Sequence, residues 1–349
     1  MERQVNILLD LPKVLLPWFY ATKRDLPWRT DRNPYHIWLS EIMLQQTRVE
    51  AVKGYYARFL QHIPNIETLA KADDDLLNKL WEGLGYYSRV RNLKKAAIII
   101  CEQYDGVFPE EYNDVIKLPG IGEYTAGAIC SIAYDQSVAA VDGNVLRVYS
   151  RLMNDPTPID LPVMKKKTAQ ALQAVYPENA GDFTQALMEL GATVCGPNKK
   201  PDCANCPCNA FCKAHMNNTA EMLPVKLPKK ERRQADLTVF ILECNGKYAV
   251  EKRKEKGLLS GLWQLPNTSG HLSESQTVEY LKKENIVVTD IFRCSHKSHI
   301  FTHIQWNMRG FYLQVKNTDG PYQWFSAEQI DQTVALPTAF RIFWEDRDI

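Results

Sequence analysis

The chain has 349 residues, 45% of them hydrophobic and 24% charged, with a net charge of +1. That length exceeds one ordinary core and predicts two domains or three, and no apolar run approaches the ~20 residues of a membrane helix. The near-neutral charge excludes a bulk nucleic-acid footprint, so any basic surface must be local. The N-terminus, MERQVNILLDLPK, carries acidic residues and no small-residue cleavage site, so no signal peptide is expected. A reducing compartment, a bacterial-type cytoplasm or a nucleus, is the default. Clustered thiols then read as metal ligands before disulfides.

Residues 1–215 read as helical. Apolar residues recur at helical spacing in HIWLSEIMLQQTRVEAVKGYYARFL (36–60), DDDLLNKLWEGL (73–84) and YSRVRNLKKAAIIICEQY (87–104). LPGIGEYTAGAI follows, with Gly120 and Gly122 between two helical stretches. A Pro-Gly-x-Gly turn that opens a helix exposes backbone N–H groups to a phosphate, so these glycines fit a helix–hairpin–helix grip on a DNA backbone. Tight turns between helices also use glycine for conformational reasons alone. Residues 216–234, with two prolines and mixed charge, read as a linker. Beyond it LTVFILEC, KYAVEKR, HIFTHIQWNMRGFYLQV and YQWFS read as strands and SESQTVEYLKKENI as one helix, giving an α+β domain over 235–349. Local basic clusters occur at Arg89, Arg91, Lys94 and Lys95, at Lys165 to Lys167, at Lys199 and Lys200, and at Lys229 to Arg233. Each taken singly reads as a solvated face.

CGPNKKPDCANCPCNAFC holds five of the nine cysteines. Cys203, Cys206 and Cys212 stand as C-x2-C-x5-C, and Cys195 precedes them by seven intervening residues. Zinc sites bring two close pairs with a longer spacer, whereas a compact loop of four thiolates suits a cubane cluster. Iron–sulfur is therefore favoured over zinc and over chance, with His215 as a zinc competitor and Cys208 expected to point elsewhere. Lys199 and Lys200, inside the loop, point to a phosphate contact.

Two carboxylates are candidates for chemistry. Asp142, in VDGNVLRVYSRL, precedes a helical run; capping is the plain reading, and the helix N-terminus is expected to keep the carboxylate ionised. Glu41 shares a helix face with Ile37, Trp38 and Leu44, so desolvation is expected to hold its proton near neutral pH. A paired surface glutamate remains the alternative. One protonated and one ionised carboxyl together form the pairing that cleaves glycosidic bonds.

SEIMLQQTRV, GLGYYSR, LPGIGEYTAGAI, VDGNVLRVYSRL, FTQALMELGATVC and the cysteine loop, in this order, resemble the adenine DNA glycosylase family across essentially the whole chain. The resemblance implies a mostly α, helix–hairpin–helix glycosylase domain with an iron–sulfur loop, followed by an α+β Nudix-like domain. It implies Glu41 as the acid that protonates adenine, Asp142 as the carboxylate steadying the sugar cation, and Tyr124 and Asn144 as their supporting neighbours. Arg24 and Gln185 match positions lining the adenine pocket, Gln46 and Tyr86 match residues wedged into the base stack, and Arg29 and Thr47 match contacts to the opposite base. It implies a 4Fe-4S cluster on Cys195, Cys203, Cys206 and Cys212. The endonuclease III branch has a lysine two residues after the second hairpin glycine, where this chain has Tyr124, and Thr-His after its aspartate, where this chain has Gly143 and Asn144. Both differences favour a glycosylase without an efficient lyase step.

GLLSGLWQLPN carries the Gly, Trp and Pro of Nudix-like domains, but the acidic magnesium box is missing, so hydrolase activity of that domain is not expected. IFTHIQW resembles the family's Phe-Ser-His hairpin, so Phe301, Thr302 and His303 are expected to discriminate 8-oxoguanine; Phe301 alone would read as β core. The family's first cluster spacing is shorter by one residue, which bears on the Lys199–Lys200 loop. The expected activity is monofunctional removal of adenine opposite 8-oxoguanine or guanine in double-stranded DNA, by a monomer in a bacterial cytoplasm and nucleoid, with no membrane contact. A pyrimidine-directed glycosylase/lyase and a non-enzymatic DNA-binding scaffold are the other two readings.

Overall fold

The helix Leu11–Thr22 buries Leu11, Leu15 and Phe19, a spacing of four that lines one helical face. It packs with Gly143–Met153, which contributes Val145, Val148 and Leu152, and with Ala180–Thr193, which contributes Phe183, Leu187 and Leu190. The computed structural model describes residues 7–197, 200–228, 231–254 and 257–347. Lys199, Lys229 and Lys230, singled out above as basic positions, lie outside these residues. Among the described residues no helix is long and apolar enough to cross a membrane.

The chain divides into two compact units, Met1–Lys71 with Asn92–Pro228, and Ala72–Arg91 with Lys229–Ile349. The first is helical, and the second is built on a sheet, in the order expected from the sequence. The sequence places Ala72–Arg91 in the helical domain; in the structure this segment groups with the C-terminal residues instead.

The helical run expected over 36–60 is interrupted. One helix spans Pro34–Leu44 and the next Val49–His62. Between them Gln46 takes φ 61°, a region that residues with a bulky side chain rarely adopt. The glycine hairpin forms as expected: the short helix Tyr112–Val115 leads through the turn to Glu123–Tyr134, with Gly122 at its N-cap. Gly120 sits at φ 80°, and a Cβ there would lie 2.7 Å from Asn92 Cβ, so both backbone and space require glycine.

The sheet of the second unit runs β3-β2-β1-β6-β5, with β1 Arg233–Cys244, β2 Lys247–Lys252, β3 Trp263–Gln264, β5 Val288–Ile300 and β6 Ile304–Val315. β4 (Asn267–Ser269) pairs with β1 and β7 (Gln323–Ser326) with β2. The sheet is mixed: β1 and β6 are parallel and β5 and β6 antiparallel. β1 is buried on both faces. Leu237, Val239 and Ile241 meet Phe340, Phe343 and Trp344 of the helix Thr338–Trp344, while Phe240, Leu242 and Cys244 meet Leu281 of the helix Glu274–Lys283. Two-sided burial explains its continuous apolar run. β5, half exposed and polar along TDIFRCSHKSH, is not read as a strand from the sequence.

Glu82 anchors Ala72–Arg91 to the C-terminal residues. Its Oε1 accepts from the Leu336 N–H at 2.9 Å and from Arg341 Nη1 at 3.1 Å, and its Oε2 accepts from Lys79 Nζ at 2.7 Å. Lys79 Nζ also donates to the Val334 carbonyl at 3.1 Å. Glu82→Ala strands these donors and is expected to cost roughly 2 kcal/mol. Hydrogen exchange should then rise across residues 72–91 and 334–341. Unchanged protection in both segments would contradict this anchoring.

Candidate active site

A cavity of about 750 Å³ opens in the helical unit, within the size range of ligand sites. Its wall includes Glu41, Asp142, Tyr124, Asn144, Arg24 and Gln185, expected at the reacting base, together with Gln46, expected in the base stack, and Arg29 and Thr47, expected at the opposite base. Tyr86, Phe301, Thr302 and His303 belong to the second unit. Gly120 and Gly122 lie in the helical unit but outside the cavity wall.

Glu41 projects from the helix Pro34–Leu44, which is buried almost all round, and is itself 6% exposed. Burial pushes its carboxyl up to about 7; the Asp142 charge adds to this, while the Tyr124 hydroxyl and Arg29 oppose it. The Tyr124 hydroxyl donates to Glu41 Oε2. Buried beside this carboxylate, Tyr124 is held well above the ordinary tyrosine range. The surface-glutamate alternative for Glu41 is thereby excluded.

Asp142 is the N-cap of the helix Gly143–Met153, so the capping and functional readings coexist. Its Oδ1 accepts from the Val145 N–H at 2.8 Å and its Oδ2 from Asn144 Nδ2 at 2.7 Å. Burial nonetheless raises its carboxyl above the ordinary aspartate value, against the pull of these bonds and of Arg147. The cap thus opposes the desolvation penalty without cancelling it. Arg147 extends the support: its Nη2 donates to Asn144 Oδ1 at 2.8 Å and to the Gly191 carbonyl at 2.8 Å.

Glu189 is a site residue that sequence reading missed. Its side chain is fully buried between Arg24 and Arg29. Arg24 donates through Nε at 2.6 Å and Nη2 at 2.8 Å, and Arg29 through Nη2 at 2.8 Å. The two guanidinium groups overcome burial and hold Glu189 down at about 2. Arg29, expected at the opposite base, is held in the cavity wall by this ion pair. Trp28 and Met188 also line the cavity. The mid-helix position of Glu189 in FTQALMELGATVC gives no sign of burial, and its partners Arg24 and Arg29 lie far away in the sequence.

Cys195, Cys203, Cys206 and Cys212 surround one small cavity, which His215 also borders, while Cys208 is fully buried in the surrounding core. Among the described residues no three His, Cys, Asp or Glu side chains converge on a single ion. A mononuclear zinc would draw four donors to about 2.3 Å from one point. Four thiols spread around a shared space suit a cubane with one sulfur per corner. Arg151 Nη1 donates to Cys195 Sγ at 3.1 Å, a contact that favours thiolate. The Asp202 N–H donates to the Val194 carbonyl at 3.1 Å. Lys200 pairs with Glu221 at 3.0 Å on the surface.

The plain reading of the basic clusters fails at two positions. Arg91 donates to the Ser260 carbonyl at 3.0 Å. Arg89 is 9% exposed, and burial lowers its guanidinium to about 10.

Glu189→Ala leaves two guanidinium groups facing each other and is expected to cost about 3 kcal/mol, read by thermal melting. The folded carboxyl lies below its ordinary value of 4.5, so its contribution is complete above that pH and is lost as pH falls toward about 2. Wild type should therefore lose stability faster than Glu189→Gln across this window. Parallel curves would contradict the ion-pair account.

The family description HhH-GPD superfamily base excision DNA repair protein matches residues 39–177, and NUDIX domain matches residues 238–346. The adenine DNA glycosylase of Arabidopsis thaliana is 36% identical over 91% of this chain and 59% of its own length. The adenine DNA glycosylase of Buchnera aphidicola (Baizongia pistaciae) is 32% identical over 93% of both chains. The human adenine DNA glycosylase is 33% identical over 94% of this chain and 72% of its own. Among solved structures, a thermostable thymine-DNA glycosylase superposes with a TM-score of 0.55 and 26% identity, covering 62% of this chain and 98% of that one. A trapped endonuclease III–DNA intermediate shares the fold at a TM-score of 0.52 and 22% identity, with the same coverage. With its Glu41–Asp142 cavity, helical hairpin unit and C-terminal NUDIX domain, the chain is a DNA glycosylase and belongs to the adenine DNA glycosylase family.

Proposed function

We propose that the protein removes adenine standing opposite 8-oxoguanine, or opposite guanine, in duplex DNA and leaves an abasic site. The observation that carries this reading is the pair of carboxyls on one cavity wall, Glu41 pushed up to about 7 and Asp142 bonded by Val145 and Asn144. Glu41 delivers its proton to a ring nitrogen of adenine. The bond between the sugar and adenine then breaks, its electron pair leaves with the base, and Asp142 steadies the positive charge on the sugar. Water adds to the sugar carbon and loses a proton. Tyr124 holds the Glu41 carboxyl in place and occupies the position where a lyase would carry its amine.

Adenine must leave the base stack to reach this cavity. Nine non-glycine residues among those described have positive φ, and six are Asn or Asp, which tolerate it. Gln46 (φ 61°) and Tyr86 (φ 48°) are two of the other three. Strain of this kind clusters at functional sites, which supports both as the wedges that fill the vacated stack. Arg24 and Gln185 then line the adenine pocket, and Arg29 and Thr47, on the wall of the same cavity, help hold the opposite base.

Phe301, Thr302 and His303 with Tyr86 form the surface that reads 8-oxoguanine. Phe301 packs edge-on against His299 and Trp306 at ring distances of 4.5 and 4.8 Å. That packing fixes the hairpin and leaves Thr302 and His303 exposed. A 4Fe-4S cluster on Cys195, Cys203, Cys206 and Cys212 would shape the loop beside the helix Gly143–Met153 without entering the reaction. Gly120 and Gly122 grip the DNA backbone. The proposal includes action as a monomer in a bacterial cytoplasm.

The test is single-turnover adenine release from a duplex with adenine opposite 8-oxoguanine. Glu41→Gln and Asp142→Asn should each lower the rate at least about a hundredfold. Because the acid form of Glu41 is required, the wild-type rate should fall as pH rises through about 7. A rate that is flat from pH 6 to pH 8.5 and insensitive to both substitutions would leave the carboxylates as structural groups.

A further inference from the structure

We infer that Arg89 is a specificity-determining positioning residue, which fixes the turn that presents Tyr86 to Thr302. The inference rests on the reading of Tyr86 and Thr302 as part of the surface that discriminates the opposite base.

The turn preceding Tyr86 is conformationally expensive. Gly83, Gly85 and Tyr86 take φ of 96°, 69° and 48°. Only the two glycines do so without penalty, so Tyr86 holds this backbone because its surroundings enforce it. The enforcing groups are side chains of the same segment. Arg89 Nη2 donates to the Leu84 carbonyl at 2.9 Å and to the Gly85 carbonyl at 3.0 Å. Trp81 Nε1 donates to that same Gly85 carbonyl at 3.1 Å. The Arg89 N–H closes the far side on the Tyr86 carbonyl at 2.9 Å. Three successive carbonyls are thus engaged, two of them by one guanidinium.

The same guanidinium lies 5.3 Å from the Trp81 ring centroid and 5.8 Å from that of Tyr86, within cation–π range of both. Arg89 is 9% exposed, so this charge is committed inside the protein and is no surface contact for DNA. Tyr86 by contrast is 48% exposed, and its hydroxyl lies 2.7 Å from Thr302 Oγ1. An exposed aromatic ring on a left-handed residue, bonded through its hydroxyl to the hairpin, needs a fixed base. Arg89 supplies it from beneath.

The consequence concerns discrimination and not bond breaking. Glu41 and Asp142 lie on the cavity of the other unit, so loosening the Tyr86 turn should leave bond breaking itself intact; with Tyr86 also a wedge, both duplexes react more slowly and the one carrying 8-oxoguanine loses more. Arg89→Met removes the donors and keeps the apolar stem. At equal active-enzyme concentration, set by burst amplitude, it should lower the ratio of single-turnover rates opposite 8-oxoguanine and opposite guanine about tenfold, the effect of one charge-assisted hydrogen bond. Arg89→Lys should restore part of the ratio. Combining Arg89→Met with Tyr86→Ala should lower the ratio no further than Tyr86→Ala alone, since both act through one ring. Where Arg89→Met does not fold, Arg89→Gln takes its place in the same comparison.

Equal slowing on both duplexes, an unchanged ratio, or multiplied losses in the double variant would each overturn the inference. If wild-type protein released no adenine from either duplex, the proposed function itself would fail, and that outcome is distinct from a preserved ratio in an active variant.

Discussion

Two carboxyl groups on the wall of one buried cavity cannot both ionise at low cost, and the helical unit is arranged around that constraint. Glu41 sits on a helix with scarcely any solvent-facing side, so it lacks the water that would stabilise its charge. Asp142 sits at a helix end, where N–H groups take the place of water. Burial raises both, but only Asp142 has backbone donors, and the two environments diverge accordingly. Arg24 and Arg29 could have neutralised the cavity and lowered both carboxyls. Glu189 removes much of that influence by engaging both guanidinium groups from behind. Glu41 thus keeps a raised carboxyl although arginines stand in the same cavity wall.

The two candidate carboxyls were legible in the sequence from their local settings. Glu41 stood on an apolar helical face, and Asp142 stood where a cap was needed. The cysteine loop was legible from spacing, since five thiols within one short loop have few explanations in a reducing compartment. Other features were hidden for physical reasons. The break at Gln45–Arg48 lies in a stretch whose apolar spacing continues across it, and neither glycine nor proline marks the turn. Glu189 looked like an ordinary helical glutamate because its partners, Arg24 and Arg29, lie far away in sequence. β5 escaped notice as an edge strand whose half-buried face carries Arg293, Ser295, Lys297 and His299, while Phe292, Cys294 and Ile300 fall on the exposed face.

The grouping of Ala72–Arg91 with the C-terminal residues was the least legible feature. Its periodicity announced a helix, and its neighbours in sequence on both sides belong to the helical unit. Only long-range contacts reveal its allegiance: Glu82 to Leu336 and Arg341, Arg91 to Ser260, Asp75 to Trp263 and Lys252. The physical effect is to give Tyr86 and the Thr302 hairpin one common frame. Two arginines of a basic cluster that looked like a solvated face, Arg89 and Arg91, proved to be internal scaffolding, because guanidinium groups can satisfy backbone carbonyls that no helix or strand reaches.

Base release from a set of duplexes tests this account most directly. Adenine opposite 8-oxoguanine, adenine opposite thymine, and thymine glycol would each be offered under single-turnover conditions. Rapid adenine release from the first duplex alone, with strand scission only after alkali, is the result that the Glu41–Asp142 cavity and Tyr124 predict. Release of thymine glycol with a spontaneous nick would contradict it and assign the cavity to a lyase.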